Sequence, residues 1–398
     1  MQTKKLYETD AYLGGCEAVV TAVRRNGRTI EVIPDRTVFF PEGGGQSADT
    51  GVICVVEGDE SRELWVRDVQ ITDGEIRHMI DIPESEDLPM KAGDTVFLQI
   101  DRERRFGFMQ NHTGEHILSG LMHSRYGFDN IGFHLSDNSV TIDVNGQLDD
   151  AGILALEREA NEVIYRNLPV QVDYPTDEEL SGIEYRSKIE IEGQVRLVKI
   201  PGVDVCACCA THVARTGEIG LIKIVKTIRY KGGMRLFIAC GARALDLMQK
   251  RQQWIEEVSH LTNRSQDEIG DGVKHLLDEI GALKQKNRDL EYKAAYLRLE
   301  MIPKEQKNVF LFVGDMDTIV QRNLVNRLCE EHDGVCGVFT GSDEDEQYRF
   351  IIASRTMDSR EVLKPLREHL GAKGGGKPEM VQGSVSGSSD RIRGVLPS

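Results

Sequence analysis

Two short motifs that lie far apart in the chain constrain its fold more than any other feature. In NHTGEHILSG, residues 111–120, His112 and His116 are four positions apart. Apolar residues recur there at helical spacing, so both imidazoles would face one side of a helix. About ninety residues later, CCATH sets Cys208 and His212 four positions apart. If the pairs meet, they offer three imidazoles and a thiolate, the ligands that Zn²⁺ favours. The sequence therefore predicts a zinc site.

Two neighbouring cysteines compete for the role of thiolate ligand. Cys206 and Cys209 flank Cys208, and Cys209 lies three positions before His212. The cluster is too tight for a disulfide framework and is typical of thiols that are kept reduced or bound to metal. The spacing of four favours Cys208. Cys206 and Cys209 are then small residues packed beside the site, or alternative ligands.

Length and charge limit the class of protein. A chain of 398 residues predicts several domains. The formal net charge of −16 argues against indiscriminate binding of nucleic acid. The longest apolar runs are too short to cross a bilayer, and the N-terminal MQTKKLYETD lacks the apolar core of a signal peptide. We therefore expect a cytoplasmic protein with no membrane partner.

The first two of four predicted segments build the site. Residues 1–95 contain short β-like runs such as AVVTAVRR and RTIEVIPD, which predict a small antiparallel sheet or barrel that carries FFPEGGGQSADTG. Residues 96–240 mix helices, expected across 104–125 and 151–166, with strands. The fold class is α+β and multidomain, with an N-terminal barrel-like domain and an α+β zinc domain.

The third segment, residues 241–303, is predicted to be helical and coiled-coil-like. The run SQDE at Ser265 has the form of a capping box and predicts a helix start. Downstream, one polar residue, Asn287, interrupts an apolar heptad seam that ends before Pro303. The seam comprises Ile269, Val273, Leu276, Ile280, Leu283, Asn287, Leu290, Ala294, Leu297 and Met301. A dimeric coiled coil and an intramolecular hairpin with residues 243–262 both explain it.

The last segment, residues 304–398, is predicted to be an α/β module that closes with GAKGGGKPEMVQG. Its glycines, with Lys373 and Lys377, predict a loop that brings backbone amides and ammonium groups onto a phosphate, although a flexible turn is the alternative. A second basic stretch is IKIVKTIRYKGGMR, which contains Arg229, Lys231 and Arg235. It is either a surface for nucleic acid or an exposed hairpin face.

Four motifs together resemble a known family. FFPEGGGQSADTG, HTGEH, CCATHVARTGEIG and GGGKPEMVQG occur in the order found in alanyl-tRNA editing proteins, namely the editing domain of alanyl-tRNA synthetase and the free-standing long-form AlaX proteins. The last motif also resembles the DHH-associated domain of some phosphoesterases. The usual C-G-G-T-H of the family is CCATH here, which supports Cys208 and His212 as ligands. The resemblance implies zinc-dependent hydrolysis of serine from mischarged alanine tRNA, with glycine as a candidate second substrate.

The resemblance also suggests how the chain works. No class II aminoacylation core precedes the editing motifs, so we expect editing in trans. Gln46, on a loop whose glycines permit close approach, is predicted to hydrogen-bond substrate or water, although an exposed turn glutamine is the alternative. Thr37 matches the threonine that contacts the serine hydroxyl in the family. Asn111, His134 and Asp143 are candidates for positions around the pocket.

The sequence also allows two other functions, and it predicts a homodimer. HTGEH also matches the inverted zincin motif, in which Glu115 would be the general base of a peptidase with a third, carboxylate ligand. Four permanent ligands would instead close the shell, as in a structural zinc site of a non-catalytic tRNA-binding protein. A homodimer through the helical segment or the C-terminal domain is also expected.

Overall fold

The computed structural model describes residues 2–57, 60–187 and 193–397. It contains two compact units, Met1–Trp254 and Ile255–Ser398. The finer division at residues 95, 240 and 303 stays a prediction. None of the helices in the described ranges is both long enough and apolar enough to cross a membrane.

The first unit begins with a closed β-barrel. Its six antiparallel strands follow the order β2-β3-β7-β6-β5-β8, while β1 and β4 form a separate parallel pair. Buried and exposed residues alternate along the last barrel strand, as expected for one face turned to a core. The predicted barrel is therefore confirmed. The strands are β1 (Lys4–Lys5), β2 (Gly15–Asn26), β3 (Thr29–Pro34), β4 (Arg36–Thr37), β5 (Gly51–Glu57), β6 (Glu60–Thr72), β7 (Glu75–Asp81) and β8 (Thr95–Ile100).

The remainder of the first unit is an α+β layer around one long helix. The elements are α1 (Arg102–Tyr126), β9 (Asn130–Leu135), β10 (Val140–Val144), α2 (Asp150–Tyr165), β11 (Gln171–Asp173), α3 (Asp177–Leu180), β12 (Leu197–Ile200), β13 (Asp204–Ala207), β14 (Ile222–Tyr230), β15 (Gly233–Cys240) and the part of α4 (Ala242–Thr262) up to Trp254. They form two antiparallel sheets, ordered β14-β15-β10-β9 and β11-β12-β13. Helix α1 starts where the Asp101 side chain accepts from the Arg104 amide at 3.0 Å, and it ends at Gly127 with φ 66°.

The glycine-rich segment between β4 and β5 is a tight turn tied to β9. Gly44 and Gly45 have φ values of +60° and +82°, which glycine adopts at little cost. A Cβ at Gly45 would overlap the Phe133 carbonyl oxygen. The Leu135 amide donates to the Gly45 carbonyl at 2.7 Å, and the Ser47 amide donates to the Leu135 carbonyl at 2.9 Å. These bonds fix the residue between them, Gln46, against the α+β layer.

After the last residues of α4, the second unit contains α5 (Ile269–Leu299), preceded by a 3₁₀ turn at Gln266–Glu268. The predicted helix start is found, but the predicted capping box is wrong. The Ser265 hydroxyl donates to the Glu268 carboxylate at 2.8 Å and caps no backbone amide. The apolar seam is largely solvent-exposed, from 41% at Leu276 to 84% at Met301.

A five-stranded sheet completes the second unit in the order β16-β17-β18-β20-β19, and only β16 and β17 run parallel among its pairs. The KGGGK segment, predicted to be a loop, is instead the exposed edge strand β19, because its backbone pairs with β20. The elements are β16 (Val309–Val313), α6 (Thr318–Glu331), β17 (Val335–Ser342), β18 (Gln347–Ser354), α7 (Arg360–Leu370), β19 (Lys373–Lys377), β20 (Met380–Ser386) and α8 (Ser389–Arg393).

Candidate metal centre

The structure brings the two predicted pairs together inside the first unit. His112 and His116 lie one turn apart on α1, while Cys208 and His212 follow β13. One nitrogen of each imidazole and the thiol sulfur all lie within 4.8 Å of one another. The three imidazoles are buried and Cys208 is half-buried. This group is a possible metal-binding site.

The distances between the donor atoms fit a tetrahedral zinc site. Cys208 Sγ lies 3.5 Å from His112 Nε2 and 3.4 Å from His212 Nε2. With Zn–S near 2.3 Å and Zn–N near 2.0–2.1 Å, a regular tetrahedron has an S···N edge of about 3.6 Å. The donor set therefore fits zinc in both chemistry and spacing.

Each histidine of the group has its other ring nitrogen held by a separate partner. His112 Nδ1 lies 2.9 Å from Gln46 Oε1, and His116 Nδ1 lies 2.9 Å from Asp204 Oδ2. His212 Nδ1 lies 3.1 Å from the Thr113 hydroxyl, which itself donates to the Met109 carbonyl. Such partners keep the proton on Nδ1 and leave the Nε2 lone pair for a metal.

Electrostatics favour a thiolate at Cys208. Burial by itself opposes ionisation, but the electrostatic attraction and the hydrogen bond of His112 outweigh it and hold the pKa of Cys208 well below the ordinary thiol value. Burial lowers the pKa of His212 to about 3, so this ring is neutral near pH 7. A thiolate and neutral imidazole are the ionisation states that bind metal.

His116 and Asp204 form an ion pair beside the donors. Burial opposes a charge on His116, but its hydrogen bond with Asp204 raises the pKa of this imidazole well above the ordinary value. Burial also opposes ionisation of Asp204, but His116 and Arg186 together lower the pKa of the carboxyl. A cation that binds His116 Nε2 would therefore displace a proton.

The neighbouring cysteines occupy different positions from Cys208. Cys206 is buried, and its sulfur forms a second close group with His116 and Asp204. Cys209 belongs to neither group among the described residues. Of the three cysteines, Cys208 is the one that lies in the four-residue group.

Gln46 and Thr37 are both fully buried. Gln46 contacts His112 through its oxygen, and its Nε2 has no hydrogen-bond partner in the part of the chain that the structure describes. Thr37 Oγ1 lies 2.8 Å from His78 Nε2 and accepts from the Phe39 amide at 3.0 Å. Gln46 is therefore not the exposed turn glutamine of the alternative interpretation.

The lower-ranked pocket candidates lie elsewhere. Asn111 joins α1 to β15 by accepting from the Cys240 amide at 2.9 Å. His134 is solvent-exposed, and Asp143 pairs with Arg235 at 2.6 Å. None of the three contacts the donor group through a described hydrogen bond.

The predicted basic surface is smaller than the sequence indicated. Arg235 is held by Asp143 and stacks 3.9 Å from the centre of the Tyr230 ring, so its charge is compensated. Arg229 and Lys231 are exposed on the hairpin, and Lys373 and Lys377 are exposed on β19. By strand alternation, Lys373 and Lys377 share one face of the sheet.

The peptidase interpretation expects a carboxylate among the metal ligands. The described four-residue donor group contains no carboxylate. Glu115, the proposed base of the peptidase, accepts a hydrogen bond from Ser119 at 2.7 Å.

The sequence analysis did not identify Thr113 and Asp204 as hydrogen-bond partners of the donor histidines. The first lies inside HTGEH, and the second precedes Cys208 by four positions, so both were close enough in sequence to be considered.

Comparison with known proteins first defines a class. Residues 13–104 match the family described as tRNA synthetases class II (A), and residues 195–237 match the threonyl and alanyl tRNA synthetase second additional domain. The second match contains Cys208 and His212. The barrel and one half of the donor group thus belong to segments that occur in synthetases.

A whole-chain relative is more specific. The chain is 29% identical to the alanyl-tRNA editing protein AlaX-L of Pyrococcus horikoshii over 98% of its own length and 96% of that protein. The resemblance to alanyl-tRNA editing proteins that the motifs predicted is thereby confirmed.

Alanine–tRNA ligases match over part of their length. The ligase of Caldivirga maquilingensis is 31% identical over 96% of this chain, which covers 42% of the ligase. The ligase of Halobacterium salinarum is 36% identical over 70% of this chain and 30% of the ligase. The chain thus spans less than half the length of these ligases.

Proposed function

We propose that this chain is a trans-acting deacylase that hydrolyses serine from mischarged alanine tRNA, with zinc held by His112, His116, Cys208 and His212. The observation that carries the proposal is the convergence of these four donors at zinc-like spacing. The similarity to AlaX-L over nearly the whole chain supports the substrate class. Glycine on the same tRNA is a second substrate to test.

Bound zinc would supply a Lewis acid that polarises a carbonyl group or lowers the pKa of water. The substrate is an activated ester, so the residues of the chain need chiefly to orient it and stabilise the developing negative charge. The tight turn at Gly44 and Gly45 keeps Gln46 beside the donors, and the buried imidazoles exclude bulk water. These features support hydrolysis at a positioned ester.

Gln46 has two roles in this proposal. Its side-chain oxygen accepts from His112 Nδ1 and orients that ligand. Its amide nitrogen is buried without a partner in the described ranges, at a cost of about 1–3 kcal/mol. A substrate oxygen that accepts from this nitrogen would recover the cost, so Gln46 is the proposed donor to the ester carbonyl.

In this proposal, Thr37 recognises serine by accepting a hydrogen bond from the serine hydroxyl. Burial lowers the pKa of His78 to about 4, so the ring is neutral, and its Nδ1 faces the Val32 carbonyl at 3.1 Å. Since Nδ1 then carries the proton, His78 Nε2 accepts from the Thr37 hydroxyl. Thr37 retains one free lone pair and would accept from the serine hydroxyl. Alanine lacks this hydroxyl and would form no such bond, which gives discrimination that steric exclusion cannot.

The exposed basic residues and the apolar seam of α5 complete the proposal. Arg229, Lys231, Lys373 and Lys377 are the proposed contacts to tRNA phosphates, whereas Arg235 is already paired. The exposed seam of α5 is the proposed interface of a homodimer.

The test is deacylation of Ser-tRNA(Ala) beside Ala-tRNA(Ala). Zinc-loaded protein should release serine selectively, and both chelated protein and Cys208→Ala should not. Cys209→Ala, outside the donor group, is the matched control and should keep zinc and activity.

One result would favour a different function. If all four donors bind zinc permanently, they close a tetrahedral shell, which is the pattern of structural zinc sites. A folded, zinc-loaded protein that binds the tRNA but releases serine no faster than the spontaneous rate would refute the deacylase and favour the non-catalytic tRNA-binding protein.

A further inference from the structure

We infer that Asp204 and Arg186 are positioning residues that anchor His116 as a metal ligand. The inference rests on the proposed zinc centre and names the residues that keep one of its donors in place. Neither residue contacts the substrate in this proposal. Both act through the orientation of the His116 ring.

The side chains of His116, Asp204 and Arg186 form a continuous chain of hydrogen bonds. His116 Nδ1 is 2.9 Å from Asp204 Oδ2, and Arg186 donates to both Asp204 oxygens, at 2.7 Å from Nε and 2.9 Å from Nη2. The His116 and Asp204 side chains are 2% and 1% exposed, and that of Arg186 is 13% exposed. A two-point contact of this kind leaves the carboxylate little freedom to rotate.

The backbone is built to allow this approach. Gly120 lies one turn after His116 on α1, and a Cβ there would overlap the Val203 carbonyl oxygen and lie 2.8 Å from the Asp204 Cβ. Glycine at this position lets α1 pack directly against the start of β13. The backbone of Arg186 forms an isolated parallel β-bridge with Cys206. In it, the Arg186 amide donates to the Val205 carbonyl at 2.8 Å.

His116 differs from the other two histidines in the charge of its partner. Gln46 and Thr113, which hold His112 and His212, are neutral, whereas Asp204 is a carboxylate. A carboxylate makes the imidazole a stronger donor to a metal than a neutral partner does. Loss of Asp204 should therefore weaken metal binding without removing any ligand.

The experiment measures zinc affinity by competition with a chromophoric chelator. Asp204→Ala should bind zinc about 10–100-fold more weakly than the unmodified chain. Asp204→Asn, which keeps an acceptor without the charge, should lie between the two. Arg186→Met should weaken binding less than Asp204→Ala, because the His116 hydrogen bond is retained.

A matched control is available just after the same helix, where Asp129 pairs with His123 of α1. Asp129 Oδ1 lies 3.0 Å from His123 Nδ1, and both side chains are exposed and outside the donor group. Asp129→Ala should leave zinc affinity within twofold. The absorption bands of the Co²⁺-substituted protein should shift for Asp204→Ala and not for Asp129→Ala, and circular dichroism of the metal-free variants verifies folding.

Several results would overturn the inference. The inference is wrong if both Asp204 variants fold and bind zinc within twofold of the affinity of the unmodified chain. It is also wrong if Asp129→Ala loses as much zinc affinity as Asp204→Ala. If Asp204→Ala does not fold, the zinc affinities of Asp204→Asn and Arg186→Met are compared with that of the unmodified chain, and values within twofold for both would overturn the inference. An unmodified chain that binds no zinc would refute the metal centre and this inference together. A chain whose zinc affinity depends on Asp204 but that releases no serine would refute only the proposed deacylation.

Discussion

A buried ion pair holds the glycine-rich turn against α1. Arg105 donates to both oxygens of Asp49, and the two side chains are 2% and 1% exposed. Arg105 also donates to the Val38 carbonyl at 2.7 Å, and Asp49 accepts from the Phe40 amide at 2.7 Å. The pair therefore joins the two ends of the segment that carries Gln46.

Arg105→Met should destabilise the first unit strongly. It leaves the Asp49 carboxylate buried without its counter-charge, and breaking a buried pair in this way costs about 3–5 kcal/mol. Such a change lowers the folding equilibrium constant by more than about a hundredfold. Asp49→Asn added to Arg105→Met removes both charges, so the double variant should be more stable than the sum of the single effects predicts.

The assay is urea unfolding followed by the fluorescence of Trp65, which lies on β6 of the barrel. A Trp254→Phe background removes the other tryptophan of the chain. Arg125→Met is the control, because its partner Glu159 and Arg125 itself are 31% and 61% exposed, and exposed pairs contribute little. If Arg105→Met shifted the midpoint no more than Arg125→Met, the reasoning about this pair would be wrong.

Three further predictions concern pH, assembly and tRNA. Burial lowers the pKa of His78 from 6.5 to about 4, so the unfolded state binds the proton first as pH falls. His78 should then contribute a loss of about 2 kcal/mol to the stability of the first unit between pH 7 and pH 5, and His78→Gln should remove this part of the loss in urea titrations. Ile280→Lys, in the exposed seam, should convert a dimer to a monomer in sedimentation, and an unmodified chain that is already monomeric contradicts the dimer. Replacing Lys373 and Lys377 with alanine should weaken tRNA binding and reduce its salt slope by roughly two, whereas Arg235→Ala should leave the slope unchanged. Equal slopes for the double variant and the unmodified chain would exclude these lysines as phosphate contacts.

The sequence by itself determined the features that depend on local spacing. Four-residue spacing identified a candidate donor group, His112, His116, Cys208 and His212. One helical turn or a short turn is enough to place both members of each pair on the same side. Alternating apolar residues determined the barrel strands, and the heptad pattern determined α5, because each pattern reflects the geometry of a single element. The order of four motifs indicated the relationship with alanyl-tRNA editing proteins.

Only the tertiary structure decided which side chains complete each local pattern. Asp204 meets His116 because Gly120 lets a strand approach α1, and Arg235 meets Asp143 because β10 and β15 are neighbours. The KGGGK segment is a strand because β20 pairs with it, although glycine has little preference for strands. These contacts join residues far apart in the chain, and their free energy depends on burial and on partners that no local spacing specifies.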